Sequence, residues 1–177
     1  MNFNIRQSRA EDRQTIFELV ESAFGNVPES DHREQYLVER LHESAAFVPQ
    51  LSLVAESADG RVVGYILLTE VEIVSDSGVA VSLGVAPLAV APEFQRRGVG
   101  GALIAAAHRA AAALGYGSAV LLGHEDYYPR FGYRRAADYG IEFPFDAPSE
   151  CCMAIELCPD ALKGVRGTVR YPDAFFE

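Results

Sequence analysis

The chain has 177 residues, 49% of them apolar and 23% charged, the balance of a single globular domain rather than of a disordered or fibrous chain. Its 25 acidic side chains against 15 basic ones leave a formal charge of −10. Such a surface repels phosphate backbones and anionic lipid, which argues against nucleic-acid and membrane partners and favours a cationic one.

Residues 1–14 alternate polar and charged side chains with no apolar core, unlike a secretory signal. The longest uncharged run, 78–92, is shorter than a spanning helix and is interrupted by Pro87. Cys151, Cys152 and Cys158 are odd in number and lack a C-x-x-C spacing, so they read as reduced core thiols of a cytoplasmic protein.

Phe3-Asn4-Ile5 predicts a short first strand. Ser8-Arg9-Ala10-Glu11 fits a capping box, followed by Ile16, Leu19, Val20 and Ala23 at helical spacing. After a loop over 25–30, Asp31 is placed to cap a second helix carrying Leu37 and Leu41 on one face. Residues 51–56 and 61–74 are rich in β-branched side chains and flank Ala58-Asp59-Gly60, a hairpin signal. A turn at 75–78 leads into an extended run over 79–90. Alanine-rich 99–114 repeats Val99, Leu103, Ala107, Ala110 and Leu114, and Gly115 stops it. A buried strand follows at 119–122, a short helix or turn at 126–131, and a late strand at 153–157. No linker or repeat divides the chain, so residues 1–177 are expected to form one domain. The order predicts a mixed α/β layer, not a regularly alternating parallel sheet.

The strand ending Leu88-Ala89-Val90-Ala91-Pro92 turns through Glu93-Phe94-Gln95-Arg96-Arg97-Gly98 directly into the helix that opens Val99-Gly100-Gly101. A helix start presents unpaired N–H groups and the positive end of the helix dipole, and so stabilises an anion. Glycines let a bulky phosphate reach the backbone, and Arg96 and Arg97 add positive charge. The segment lacks the GK[ST] ending of a P-loop, and Leu103 stands where a dinucleotide fingerprint needs glycine or alanine.

The run from Leu88 to Gly100 resembles the acetyl-CoA signature of the GNAT superfamily of N-acetyltransferases, a Gln/Arg-x-x-Gly-x-Gly/Ala loop after a strand. The resemblance implies an α/β fold with a central mixed sheet splayed at the cofactor slot and flanked by helices. It implies that the backbone of Leu88, Ala89 and Val90 pairs with the pantetheine arm of acetyl-CoA. The amides of Arg96, Arg97, Gly98, Val99, Gly100 and Gly101 would then hold its pyrophosphate. Pro87 is consistent with strand distortion at that point.

A second motif, Tyr127-Tyr128-Pro129-Arg130-Phe131-Gly132-Tyr133, is similar to the family's Tyr-x-x-x-Gly-Phe, with Tyr133 in place of phenylalanine. Tyr128 stands where the family's proton donor stands, and Tyr127 reads as packing. A phenol suits this role: a thioester releases a thiolate, whose thiol has a pKa of about 8.5, and a donor near 10 assists it. The preceding connection, 123–126, is shorter than the helix many relatives carry.

No general base stands out among Glu70, Glu72, His124 and Glu125. His32, His42, His108 and His124 show no ligand spacing, and no metal is expected. The C-terminal part, including residues 152–157 and 171–175, is similar to the bacterial YhbS-like branch. That likeness implies an acetyltransferase without implying a particular acceptor; an amine-bearing small molecule or peptide is the expected substrate, contacted by residues 25–41 and other loops, and homodimers are common in such families. A CoA-binding sensor of the same fold is the alternative.

Overall fold

A computed structural model describes residues 2–177. Among the described residues, nine strands form one sheet: β1 (Phe3–Gln7), β2 (Phe47–Ser57), β3 (Val62–Ser75), β4 (Gly78–Val90), β5 (Ser118–Leu122), β6 (Arg134–Arg135), β7 (Ile141–Glu142), β8 (Cys152–Glu156) and β9 (Gly167–Arg170). Their order is β1-β2-β3-β4-β5-β8-β6, with β9 beside β3 and β7 beside β9. Neighbours run antiparallel except the β4–β5 and β7–β9 pairs.

Three α-helices cover the sheet: α1 (Arg13–Phe24), α2 (Glu34–Glu43) and α3 (Val99–Ala113). Ile16, Leu19 and Val20 of α1, with Val38 and Leu41 of α2, pack over Val54, Tyr65, Leu67 and Ala89. Val99, Leu103, Ile104 and Ala107 of α3 cover the opposite face, over Leu53, Val63 and Ile66. The middle of β3 is therefore buried on both sides, which explains its unbroken apolar run rather than an alternating one. Gly64 lets α3 approach closely: a Cβ there would lie 2.8 Å from Val99 Cγ1 and 2.9 Å from Leu103 Cδ1. A third cluster joins Val71, Ile73, Val120, Val169 and Tyr171 beneath the C-terminal segment.

Three local expectations need correction. The box before α1 closes on Asp12 rather than Glu11: the Arg9 N–H donates to Asp12 Oδ2 at 2.7 Å, while Ser8 Oγ bonds Ser52 Oγ instead. Asp12 is fixed there because Arg6 donates to both its oxygens, at 2.7 and 3.0 Å, which also holds its carboxyl below the ordinary carboxylate range. Asp31 does not cap α2; it accepts the Arg33 N–H at 2.9 Å in an Asx turn, and the helix starts at Glu34 with Gln35, Val38 and Leu41 as its buried face. The three cysteines are free but half-buried, at the margin of the core rather than inside it.

Candidate functional site

β4 and β5 pair only at Leu83–Ala119 and Gly84–Val120, although β4 runs on to Val90 and β5 to Leu122. On its other edge β4 stays paired with β3 as far as Gly64–Val90, with two β4 residues, Ala86 and Pro87, opposing Leu67 alone. A bulge of this kind bends its strand and increases the local twist. The bend at Pro87 thus coincides with the parting of β4 from β5. Between Leu88 and Val90 the outer edge of β4 faces a slot with no strand partner, only Gln95 Nε2 donating to the Val90 carbonyl at 3.2 Å, and an extended chain with amide groups can pair with such an edge.

The slot ends at the first turn of α3. Arg96 and Gly98 both have left-handed backbones, at φ 59° and 85°, and this pair of kinks turns the chain from the Pro92–Phe94 3-10 turn into the helix. The first N–H groups of α3 have no acceptor within the helix, so the turn presents donors and the positive helix end toward the slot. Gly100 marks the closest approach. A Cβ on it would meet the Tyr127 hydroxyl at 2.6 Å, Val90 Cγ2 at 3.7 Å and Leu88 Cδ2 at 3.8 Å. A Cβ on Gly101 would meet Phe131 at 3.1 Å.

The predicted residues therefore divide. Leu88, Val90, Gly100 and Gly101 converge on one wall. Ala89 turns its methyl to the opposite face, among the α1–α2 core, and its N–H and C=O face Tyr65 of β3, because the Ala91 N–H bonding Val63 makes Ala89–Tyr65 the hydrogen-bonded pair. Val99 is buried under the sheet. Arg96 and Arg97 are exposed at the rim, with the Arg97 guanidinium 5.9 Å from the Phe94 ring centre.

Tyr127 packs, as expected, and it does so on the first turn of α3, with its hydroxyl at Gly100 and the Arg130 guanidinium 4.5 Å over its ring. Its adjacency to Tyr128 in the motif was the available signal for that placement, since successive residues in a tight turn point different ways. Tyr128 opens the 3-10 turn Tyr128–Phe131, confirming that the connection after β5 is short. Its ring lies against Gly123, where any side chain would collide with it. Tyr127 and Tyr133 meet it edge-on, at 5.0 and 5.7 Å between ring centres. The Tyr128 hydroxyl makes no hydrogen bond to any described residue, and burial pushes its pKa well above the ordinary phenol value. At neutral pH it is a protonated donor.

Of the acidic candidates, Glu70 accepts the Tyr116 hydroxyl and Glu72 pairs with Arg170. His124 and Glu125 are exposed. A groove of about 720 Å³ runs between the end of α2 and the C-terminal segment, lined by Glu43, Glu70, Glu72, Asp173 and Glu177 with Arg40 and Arg170. Tyr171 joins it to the point where β4 and β5 part, since a Cβ on Gly84 would lie 3.3 Å from its ring. Among the described residues, no group of three or more His, Cys, Asp or Glu side chains is arranged to hold a metal, and no helix is long and apolar enough to cross a membrane.

A splayed mixed sheet with a glycine-rich helix start at the end of the slot defines an acyltransferase of the acetyl-CoA class. The comparisons place it further: residues 4–136 match the model of the acetyltransferase (GNAT) domain, and the chain belongs to that family as an acetyltransferase. It is 35% identical over 176 residues to the uncharacterized N-acetyltransferase YjhQ of Escherichia coli K12, covering 97% of this chain and 93% of that one. It is 32% identical over 147 residues to YhbS of the same organism, covering 83% and 85% of the two chains. The structure of Escherichia coli YhbS in complex with CoA superposes with a TM-score of 0.89 at 28% identity, over 100% of this chain and 93% of that one. A GNAT acetyltransferase from Brucella melitensis in complex with acetyl-CoA gives 0.80 at 30% identity, over 98% of each.

Proposed function

We propose that residues 1–177 act as one N-acetyltransferase domain that moves acetyl from acetyl-CoA to a primary amine of a small molecule or peptide, by direct attack in a ternary complex. The observation that carries this reading is the convergence of Leu88, Val90, Gly100 and Tyr127 at the open edge of β4, with the Tyr128 ring edge-on against Tyr127. The complexes of the YhbS and Brucella relatives with CoA and acetyl-CoA support it.

In this reading the backbone of Leu88 and Val90, on either side of Ala89, binds the pantetheine arm as an added strand. The amides from Arg96 to Gly101 hold the pyrophosphate, and the two arginines balance its charge. The amine nitrogen attacks the thioester carbonyl, a C–N bond forms and the C–S bond breaks. The departing sulfur takes a proton from Tyr128, which recovers it from solvent, while the ammonium proton leaves through water. No covalent enzyme intermediate is needed. The acidic groove reached through Tyr171 suits a cationic acceptor.

The test is a panel of amines with acetyl-CoA, following thiol release and product mass. Transfer to at least one primary amine is expected. If acetyl-CoA raises the melting temperature but no amine releases thiol, the protein binds the thioester without using it, and the transfer reading falls.

A further inference from the structure

We propose that Tyr133 and His108 form a positioning pair that fixes the Tyr128 ring beside the cofactor slot. The inference rests on the proton-donor reading of Tyr128 and concerns what holds that phenol in place.

Tyr128 stands on weak local structure. The chain before it, His124-Glu125-Asp126, is exposed, and the 3-10 turn it opens is four residues long and ends at Gly132 in a left-handed conformation, φ 99°. A reactive group on so short an element is only as well placed as its lateral supports. One of these supports is tethered. Tyr133 is 3% exposed, meets the Tyr128 ring edge-on at 5.7 Å, and shares a 2.8 Å hydrogen bond between its hydroxyl and His108 Nε2. His108 belongs to α3, the helix whose first turn closes the slot. The pair therefore ties the wall behind the phenol to the same rigid element that ends the cofactor site.

The chemistry of the pair favours orientation over stability. Burial pushes His108 down to about 4, so it is a neutral imidazole that fixes direction without bringing charge near the leaving sulfur. A phenylalanine at 133 with an apolar residue at 108 would fill the same space, and swapping both partners of a buried hydrogen bond for apolar groups is close to neutral in stability. What the apolar pair would lose is the fixed azimuth of ring 133, and with it the edge that Tyr128 leans on.

The experiment is a double-mutant cycle on the full chain, using acetyl-CoA and the best amine from the panel, alongside NMR of the protein labelled with ¹³Cε-tyrosine in saturating CoA. Tyr133→Phe is expected to lower kcat about three- to tenfold, as small misplacements of reacting groups do, with the KM for acetyl-CoA within twofold. His108→Gln, which keeps a hydrogen-bonding partner, restores most of the rate, and His108→Leu does not. In the Tyr128→Phe background Tyr133→Phe adds nothing, because its effect passes through the missing hydroxyl. The Tyr128 ring signal shifts in both Tyr133→Phe and His108→Leu. Should Tyr133→Phe lose stability and that loss dominate, the Tyr133→Phe/His108→Leu double variant regains the melting temperature without regaining kcat. Multiplicative losses in the cycle, an unmoved Tyr128 signal, or recovery of kcat together with stability would each overturn the positioning role. A wild-type kcat in Tyr128→Phe alone would instead overturn the donor reading beneath it.

Discussion

At the amino end of α3 the cleft wall is main chain and glycine: the outer edge of β4 from Leu88 to Val90, the kinked Arg96–Gly98 turn, and Gly100 with no room for a side chain. Across the sheet, the groove between α2 and the C-terminal segment is walled by side chains, five carboxylates and two guanidinium groups drawn from three separate stretches of sequence. A wall of backbone recognises what every acyl-CoA shares, an amide-bearing arm and a pyrophosphate, and nearly any substitution damages it. A wall of side chains can change its charge without disturbing the fold. In the proposed function, one half of the cleft is thus committed to the cofactor, whereas the other is free to differ in its acceptor.

The sharpest way to test that division is at Tyr127 and Tyr128, adjacent in sequence but facing different parts of the cleft. Tyr128→Phe should lower kcat by about ten- to a thousandfold, the range for losing one proton donor, with acetyl-CoA affinity nearly unchanged because the charge it meets develops only as sulfur leaves. Tyr127→Phe removes a hydroxyl from Gly100 and should instead raise the Kd for acetyl-CoA a few-fold at nearly constant kcat. Steady-state kinetics with calorimetry on both variants decide it; the same parameter changing in both would erase the distinction. Because burial holds Tyr128 protonated, it should contribute no alkaline limb to the kcat profile below pH 10, in wild type or in Tyr127→Phe.

Next in size is Gly100→Val. The new side chain would project between Leu88, Val90 and the Tyr127 hydroxyl, so acetyl-CoA affinity should fall about a hundredfold, near 2.7 kcal/mol. The fold should suffer less, because a tyrosine hydroxyl at the end of its side chain can swing aside. Unchanged affinity would mean that the cofactor does not pass this wall.

The backbone half of the candidate site lies in one stretch of sequence, and that is why it is legible there. The parting strand, the kinked turn and the helix occupy one run from Leu88 to Gly101, and each is a backbone preference that a sequence states locally. The bounds of β3, β4 and α3 were equally plain, since their apolar runs are long and their stops are glycine or a tight turn. What escaped was made by distance. β6 and β7 are two residues each, too short for any periodicity, and exist because β8 and β9 supply partners. The Asp12 cap was missed by one residue because its decisive contact, Arg6, lies on a neighbouring strand. The groove was invisible as a groove, though the net charge that feeds it was not.

A smaller effect distinguishes the halves by acidification. His108 behind the cofactor wall and His42 behind α2 are both pushed down to about 4 by burial. The unfolded chain takes up these protons near the ordinary pKa of about 6.5, whereas the folded one resists until about 4, so stability falls as pH drops through that window. Replacing His108 by Gln should flatten part of that slope, by about 2–4 °C in melting temperature, the shift a 1 kcal/mol change makes in a chain of this size. A slope identical to wild type would place the acid sensitivity elsewhere.

The least of the expected effects concerns the side-chain wall. Glu43, Asp173 and Glu177 line the groove, whereas Glu72 is already paired with Arg170 and Glu70 with Tyr116. Exposed carboxylates of this kind attract an ammonium by about 0.2–0.5 kcal/mol each, the lower half of the range for exposed pairs, so removing two should raise the KM of a cationic amine by about two- to fivefold. Asp173→Asn with Glu177→Gln should do so without altering the Kd for acetyl-CoA, because the backbone wall lies on the other side of the sheet. The attraction also fades with salt, as the screening length falls from about 10 Å at 0.1 M to about 3 Å at 1 M. A neutral amine therefore serves as the internal control, its KM indifferent both to the double substitution and to salt. If the cationic and neutral amines respond alike, or if an anionic acceptor is preferred, the groove is not where the acceptor binds, and the charge of the chain serves solubility alone.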